Sequence, residues 1–228
     1  MKRSTLLLSA VVAVALALVA GPAAAGTKAS TTGGSSATAT IVHGIPGLKV
    51  DVYVINNFQR QRLDDVEFTA VAALKLRPGF AYIAILPADD SKFSKPLYQK
   101  FLWLKGGENL SIAAHLNAAG TAPVFSVFNN DVSNPGGGKA RVIVRHLAAA
   151  PAVDILAGGS PVIKSLTNPK ESALVVPSGT YPIAVAPAGS LVPVFGPANL
   201  PFASGTTTIV YAVGSLSGGT FTPLVQVF

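Results

Sequence analysis

The chain carries one pattern of residues twice, about 100 positions apart, and this repeat constrains the fold more than any other feature. The string "VHGIPGLKVDVYV" places His43 eight residues before Asp51. The string "VRHLAAAPAVDIL" places His146 eight residues before Asp154, an offset of 103. Three later blocks align with offsets of 100, 98 and 100, so only short loop changes separate the halves. A repeat of this length predicts two copies of one structural unit.

Short apolar runs with alternating polarity predict that each copy is built from β-strands. Val50, Val52 and Val54 alternate with other residues at the period of a strand. The 22 glycines and 17 prolines fall between such runs, where turns need them. Residues 64–76 are helix-like, but the matching segment contains Pro169, which disfavours a helix. We therefore predict an all-β fold of two tandem antiparallel β-sandwiches, Ig-like or transthyretin-like, with about seven strands each.

The first residues are typical of an export signal. Two basic residues precede an uncharged apolar stretch from Leu6 to Val19, and Ala23–Ala25 forms a small-residue cleavage site. We predict a signal peptide at residues 1–25 and a flexible Ser/Thr/Gly leader at 26–37. After cleavage no transmembrane segment is expected, because proline and glycine interrupt every later apolar run. The protein is then secreted, whether extracellular, periplasmic or associated with the cell surface.

The repeat sets the remaining domain boundaries. We predict the first sandwich at residues 38–129 and the second at 139–228. Residues 130–138, "NDVSNPGGG", read as a linker, because proline and three glycines interrupt any strand.

Charge and cysteine content narrow the classes of partner. The absence of cysteine excludes disulfides and thiolate metal sites. Of 17 basic residues two leave with the signal, so 15 basic and 10 acidic residues give the mature chain a net charge of +5. This charge could attract an anionic envelope polymer. Nucleic-acid binding is not expected, since no aromatic residues interleave with the basic ones. Residues 172–228 carry no charge, so another surface could cover part of them.

Three strings of the second copy, "RVIVRHLAAAPAVDIL", "VPSGTYPIAVAPAG" and "TPLVQVF", resemble the family of domains of unknown function 4397. The resemblance extends from Thr38 to Phe228. The first copy departs from it where Phe80-Ala81-Tyr82 replaces Thr180-Tyr181-Pro182. The resemblance implies secreted bacterial β-sandwich domains, often in tandem, and it implies no activity and no catalytic residue.

The repeated pairs of His43 with Asp51 and His146 with Asp154 are the first candidate site. By strand alternation both histidines point into the core, where an imidazole needs a hydrogen-bond partner. We predict a structural His–Asp latch that pins the first two strands of each sandwich. The alternative is a metal site or a general base, but metal binding usually takes three or more protein ligands, and no third ligand repeats.

A polar segment of the first copy, "NFQRQRLDD", is the second candidate site. It contains Arg60, Arg62, Asp64 and Asp65. It is either a solvated hairpin tip or a recognition loop carried by a rigid sandwich.

No catalytic signature is present, neither G-x-S-x-G nor H-E-x-x-H. We therefore expect no enzyme, no catalytic residue, no cofactor and no metal. The predicted function is a structural or binding role at the cell envelope or outside the cell, with an envelope polymer or surface protein as partner. One alternative is a self-assembling surface or matrix protein that associates through uncharged edge strands of the second sandwich. A second alternative is a hydrolase accessory or substrate-binding protein.

Overall fold

The computed structural model describes residues 18–20, 35–88 and 95–228, and the regular elements in these ranges are all β-strands. The prediction of an all-β fold with two sandwiches is confirmed. Most of the predicted signal peptide and leader lies outside the described residues. Within the described ranges, no helix has the length and apolar character needed to cross a bilayer.

Seventeen strands are described, and the two halves carry eight each. The first strands are β1 (Leu18–Ala20), β2 (Ala37–Gly44), β3 (Val50–Asn56), β4 (Gln59–Val66), β5 (Val71–Leu76), β6 (Gly79–Pro87), β7 (Tyr98–Leu104), β8 (Asn109–Leu116) and β9 (Pro123–Asn129). The others are β10 (Lys139–His146), β11 (Val153–Ala157), β12 (Ser160–Leu166), β13 (Glu171–Pro177), β14 (Gly179–Pro187), β15 (Phe195–Phe202), β16 (Thr207–Val213) and β17 (Thr222–Val227).

Each sandwich has an outer and an inner sheet. The outer sheets have the strand orders β4-β3-β6-β7 and β12-β11-β14-β15. The inner sheets have the orders β5-β2-β8-β9 and β13-β10-β16-β17, and β1 adds in parallel beside β17. Neighbouring strands are antiparallel except for one parallel pair in each sandwich, β2 with β8 and β10 with β16. The two halves therefore share one topology, with eight strands each where about seven were expected.

Strand pairing also corrects the alignment of the last repeated block. Ile112 pairs with Val127 in the first sandwich, and Val210 pairs with Val225 in the second. The offset between the last strands is therefore 98 and not 100. The difference of two residues keeps the same side chains pointing inward, because strand side chains alternate with a period of two.

Alternating side chains fill the two cores as the sequence predicted. Val50, Val52 and Val54 of β3 lie in the first core with Ile41 of β2. The neighbouring residue Val42 points the other way, into a separate apolar cluster between the sandwiches. The central strands of the inner sheets are thus buried on both faces, whereas the edge strands β5, β9 and β13 remain partly exposed.

The two inner sheets pack against each other through this cluster. It joins Val42 and Ala113 of the first sandwich to Ile209, Tyr211 and Leu224 of the second. The uncharged strand β16 is therefore a central strand and not an edge, and the first sandwich covers part of the uncharged stretch. Apolar burial between the sheets stabilises this arrangement.

A polar network centred on Arg145 crosses the same interface. The Arg145 side chain is fully buried, and its Nε donates to Glu171 Oε2 at 2.7 Å. Its Nη2 donates to Asn130 Oδ1 at 2.7 Å, and its guanidinium carbon lies 4.3 Å from the centroid of the Phe128 ring. A buried guanidinium needs such partners to offset its lost hydration. Asn130, the first residue of the predicted linker, is therefore part of the interface.

Tyr211 extends the network toward the other side of the interface. Its hydroxyl lies 2.7 Å from Ser111 Oγ and donates to Gln226 Oε1 at 2.9 Å. Gln226 Nε2 in turn donates to Thr40 Oγ1 at 3.1 Å. Side chains from both sandwiches thus complete one connected set of hydrogen bonds, which fixes how the inner sheets meet.

Replacing Arg145 should destabilise the whole protein. We expect Arg145→Ala to lower the free energy of unfolding by roughly 3 kcal/mol, because it removes the buried partner of an ion pair with Glu171, one of the two donors to Asn130 Oδ1, and the packing of its side chain against Phe128. Denaturant unfolding measures the change. Lys139→Ala, on the exposed end of the same strand, is the control and should change stability by less than about 0.5 kcal/mol. Equal effects of the two substitutions would contradict the role of the network.

Candidate functional site

The repeated histidines His43 and His146 are buried at the ends of β2 and β10, as alternation predicted. His43 Nε2 lies 2.7 Å from the carbonyl oxygen of Leu48, and His146 Nε2 lies 2.9 Å from that of Pro151. Each histidine thus bonds to the loop that leads to the next strand, at a carbonyl five residues further along the chain. These bonds correct the partner in the predicted His–Asp latch, because a loop carbonyl takes the place that was assigned to the aspartate.

The repeated aspartates Asp51 and Asp154 support the following strand instead. Asp51 Oδ1 accepts from the amide of Asp65 at 2.9 Å, and Asp154 Oδ1 accepts from the amide of Ser165 at 2.7 Å. Asp65 and Ser165 both have a φ of 52°, where the strand pairing shifts its register. Each aspartate therefore holds the same β-bulge in its sandwich. The contribution of these residues to stability stays a prediction.

Arg60, Arg62, Asp64 and Asp65 lie on strand β4, which corrects the predicted recognition loop. The preceding turn has only two residues, because pairing with β3 resumes at Gln59. The segment is polar because β4 is an edge strand, and charged edge strands resist pairing with other chains.

Arg62 is tied to the outer sheet by several contacts. It forms ion pairs with Asp51 and Asp64, and its guanidinium carbon lies 4.9 Å from the centroid of the Tyr53 ring. Together with Tyr53 and the exposed Arg60 it lines a depression in the surface beside β3 and β4. The predicted arginines therefore flank the outer face of the first sandwich.

No metal site accompanies these residues. Among residues 18–20, 35–88 and 95–228, no three His, Asp or Glu side chains come together as a metal ion requires.

The outer sheet of the first sandwich presents four aromatic side chains on its solvent side. Phe80 and Tyr82 of β6 pair with Trp103 and Phe101 of β7, and we call these four residues the aromatic face. Trp103 is 74% exposed, Phe101 65% and Phe80 48%. A contiguous exposed apolar patch on a protein surface commonly marks a binding site.

Three rings of the aromatic face, those of Phe80, Tyr82 and Phe101, pack against each other. The centroid of Phe101 lies 5.4 Å from that of Phe80 and 4.9 Å from that of Tyr82. These are distances of stacked and tilted aromatic pairs, which hold their rings in place. The Tyr82 hydroxyl donates to Gln99 Oε1 at 2.8 Å. The face is thus a supported aromatic surface with polar groups at its border.

The second sandwich shows that the fold does not need these rings. In its outer sheet the matching pairs, in the same register, are Thr180 with Pro201 and Pro182 with Asn199. All four are exposed. Since a polar residue or proline serves this topology as well, the fold does not require aromatic side chains at these four positions.

The hairpin between β3 and β4 adds Phe58, whose side chain is fully exposed. Asn57 and Phe58 have φ angles of 46° and 64°, a two-residue turn that favours glycine. The second sandwich has Gly158 and Gly159 at its matching turn. The Asn57 amide donates to the Phe80 carbonyl, so the turn lies at the Phe80 end of the aromatic face. A phenylalanine at positive φ is strained, and strain of this kind is common at functional sites.

Sequence reasoning did not identify the aromatic face, although a signal was present. Strand β7 reads "YQKFLWL", in which Phe101 and Trp103 alternate with Leu102 and Leu104. An edge strand with one wet face should be polar at alternate positions, so large apolar residues on both faces are unusual.

Comparisons with known proteins identify one family and no function. The model of the family described as "Domain of unknown function (DUF4397)" matches residues 37–156, which span the first sandwich, β10 and most of β11. No curated protein matches the chain. A solved structure, the Bacillus anthracis TIE protein, is similar over 84% of this chain at 14% identity, with a TM-score of 0.28. The chain spans 34% of that protein, and a likeness this weak carries no argument.

The buried histidines predict a loss of stability in mild acid. Burial lowers the pKa of His43, His115 and His146 below the ordinary 6.5. Between the folded pKa and 6.5 the unfolded chain therefore binds more protons, so stability rises with pH. The free energy of unfolding should be highest above pH 7, where the histidines are neutral in both states. It should fall as the pH drops toward 5, by at most about 1.4 kcal/mol per pH unit for each histidine.

Denaturant unfolding at several pH values measures this slope. His146→Gln keeps a donor for the Pro151 carbonyl and removes the titrating ring, so the slope should become shallower. An identical slope in this variant would contradict the assignment to His146.

Replacing Phe58 by glycine should leave the fold intact and raise its stability. We expect Phe58→Gly to raise the free energy of unfolding by roughly 0.5 kcal/mol, since glycine adopts positive φ without strain. Gly159→Phe in the second sandwich is the reverse change and should lower it by about 1 kcal/mol. Thermal and denaturant unfolding measure both. A marked loss of stability in Phe58→Gly would show that the ring serves the fold.

Proposed function

The chain belongs to the DUF4397 family, whose description assigns no activity, and we propose that it is an exported, non-enzymatic binding module. Its partner is a polysaccharide of the cell envelope or the extracellular matrix. The aromatic face of the first sandwich, together with Phe58 at the hairpin tip, holds this polymer. The second sandwich supports the first through the interface centred on Arg145.

The difference between the two outer sheets carries the proposal. Topology and register are the same in both sandwiches, yet aromatic rings, three of them exposed and Tyr82 half-buried, occupy four outward positions in one and none in the other. Exposing Trp103 and Phe101 to water is unfavourable, because apolar surface stays hydrated. A ligand that covers these rings removes this cost, so the arrangement suits a protein that binds on this face.

A polysaccharide fits the shape and chemistry of the face. Sugar rings present flat C–H surfaces that stack on aromatic rings, while their hydroxyls bond to polar groups at the border such as Gln99. An open sheet suits an extended polymer, whereas small molecules favour concave pockets. Arg60 places a positive charge beside the face, which favours polymers with anionic groups, whereas the charge of Arg62 is already paired with Asp51 and Asp64.

The titratable side chains support a non-enzymatic role. His43 and His146 are buried in the cores, and their lowered pKa keeps them neutral near pH 7. The carboxylate of Asp51 is bound by Arg62 and by a backbone amide. A general acid or base must reach its substrate, and these groups face away from solvent or are already paired. Export rests on the signal-like segment at residues 1–25.

Binding to polysaccharides tests the proposal directly. The purified protein should sediment with insoluble wall polysaccharide or migrate more slowly in native gels that contain soluble polysaccharide. Trp103→Ala and Phe101→Asn should each weaken binding about tenfold, because each removes one stacking surface worth about 1 to 1.5 kcal/mol. Asn is the residue that the second sandwich carries at the position of Phe101, so this variant should fold.

Leu191→Ala is the matched control, since Leu191 is 64% exposed on the second sandwich, outside the aromatic face. It should bind like the original protein. Unchanged binding in both aromatic variants, or the absence of binding to any polysaccharide tested, would overturn the assignment.

Self-assembly is a second candidate, and one observation favours it. The edge of β17 accepts an added strand, because Leu18–Ala20 pairs with it in parallel. Once the predicted signal peptide is removed, a strand from another copy could pair there in its place. Concentration-dependent mass in light scattering, together with no polysaccharide binding, would favour this candidate.

A further inference from the structure

The second sandwich encloses an apolar cavity between its two sheets. Its volume is about 140 Å³, and its lining includes Val144, Leu174, Val185, Val210 and Phe202. None of the lining residues carries a charged group, and apart from Tyr181 and His146 all of them are apolar. Such a cavity holds water poorly, because a buried water needs two to four polar partners.

Matching positions of the first sandwich are packed more tightly. Ile85 is 1% exposed, whereas Val185 at the equivalent place is 8% exposed. Ile41 is 2% exposed and Val144 6%. Because these side chains all point inward, the added exposure in the second sandwich is surface that faces the cavity.

Several side chains that border the cavity are smaller than their counterparts in the first sandwich. By strand pairing, isoleucines at three inward positions of the first sandwich are replaced by Val144, Val185 and Val210. Phe125, whose ring stacks on Tyr98 at 4.4 Å, is matched by Pro223. Each of these changes removes volume from the core, whereas Tyr181 and Phe202 are larger than Ala81 and Leu104 at the matching positions.

The cavity approaches the surface at strand β12. Val162 lines it and is 44% exposed, so a small molecule entering there has a short path. His146 also lines the cavity: its Nε2 bonds to the Pro151 carbonyl, and its Nδ1 has no hydrogen-bond partner but is itself almost completely buried. Recognition inside would therefore depend on shape and apolar contact.

We propose that the second sandwich binds a compact apolar group, about the size of one aromatic ring, inside this cavity. An apolar cavity of roughly 150 Å³ in another protein stays dry and binds benzene, so the volume here suits the same class of ligand. Bound hydrocarbon recovers the contacts that the lining residues lack. This site is separate from the aromatic face and does not depend on the function proposed for it.

Benzene is the probe that tests the site, and phenol is its polar counterpart. Benzene near saturation should raise the melting temperature of the purified full chain by several degrees and shift the methyl NMR signals of Leu174 and Leu200. Phenol should act at least tenfold more weakly, because its hydroxyl would lose hydrogen bonds to water inside the cavity.

A variant that fills the cavity separates specific binding from surface adsorption. Val144→Ile/Val185→Ile/Val210→Ile gives the second sandwich the residues that stand at these positions in the first. It should raise the melting temperature without benzene and reduce the response to benzene at least tenfold. Val225→Phe fills the same space from β17 and provides an independent second variant. Val192→Phe, on the exposed surface, is the control and should leave the response unchanged.

The outcomes decide the proposal. The site is established if benzene shifts the methyl NMR signals of Leu174 and Leu200 and these shifts disappear in either filled variant. Shifts confined to other methyl groups, no response at saturation, or a full response in a filled variant that still folds would overturn it.

Discussion

The packing of the two inner sheets against each other decides which surfaces of this protein remain available. The interface buries Arg145 together with an apolar cluster around Tyr211, so the central strands of both inner sheets lose contact with water on both faces. A buried guanidinium tolerates little displacement of its partners, which come from both sandwiches. The outer sheets are then the broad sheet faces still open to a ligand, and the aromatic face lies on one of them.

Duplication gives the molecule an internal comparison. We propose that what both copies share serves the fold: the histidine that bonds to a loop carbonyl, and the aspartate that bonds to the amide of a bulge. A residue that occurs in only one copy is not required by the shared fold. Phe58 stands where the other copy has Gly159, and the aromatic face stands where the other copy has polar residues and prolines. Conversely, the cavity occurs where valines replace the isoleucines of the first core.

The histidine and aspartate pairs show which structural features a residue pattern predicts and which it does not. Alternation placed His43 and His146 in the cores, because side-chain direction along a strand follows from its period of two. The same reasoning chose the wrong hydrogen-bond partner, because the ring bonds to a carbonyl of the connecting loop. The alternation of side chains along a strand contains no information about the conformation of a loop. Arg60 and Arg62 were found as a candidate site, but the strand that carries them and the aromatic rings beside them depend on pairing between β3, β6 and β7.

The sequence by itself determined that the chain is all-β, that one unit occurs twice, and which residues of each strand point inward, because periodicity and offset are local properties of the chain. Only the tertiary structure decided that the inner sheets meet face to face, that four aromatic rings gather on one outer sheet, and that one core contains a cavity. These features join residues far apart in sequence, and strand register and packing between sheets bring them together.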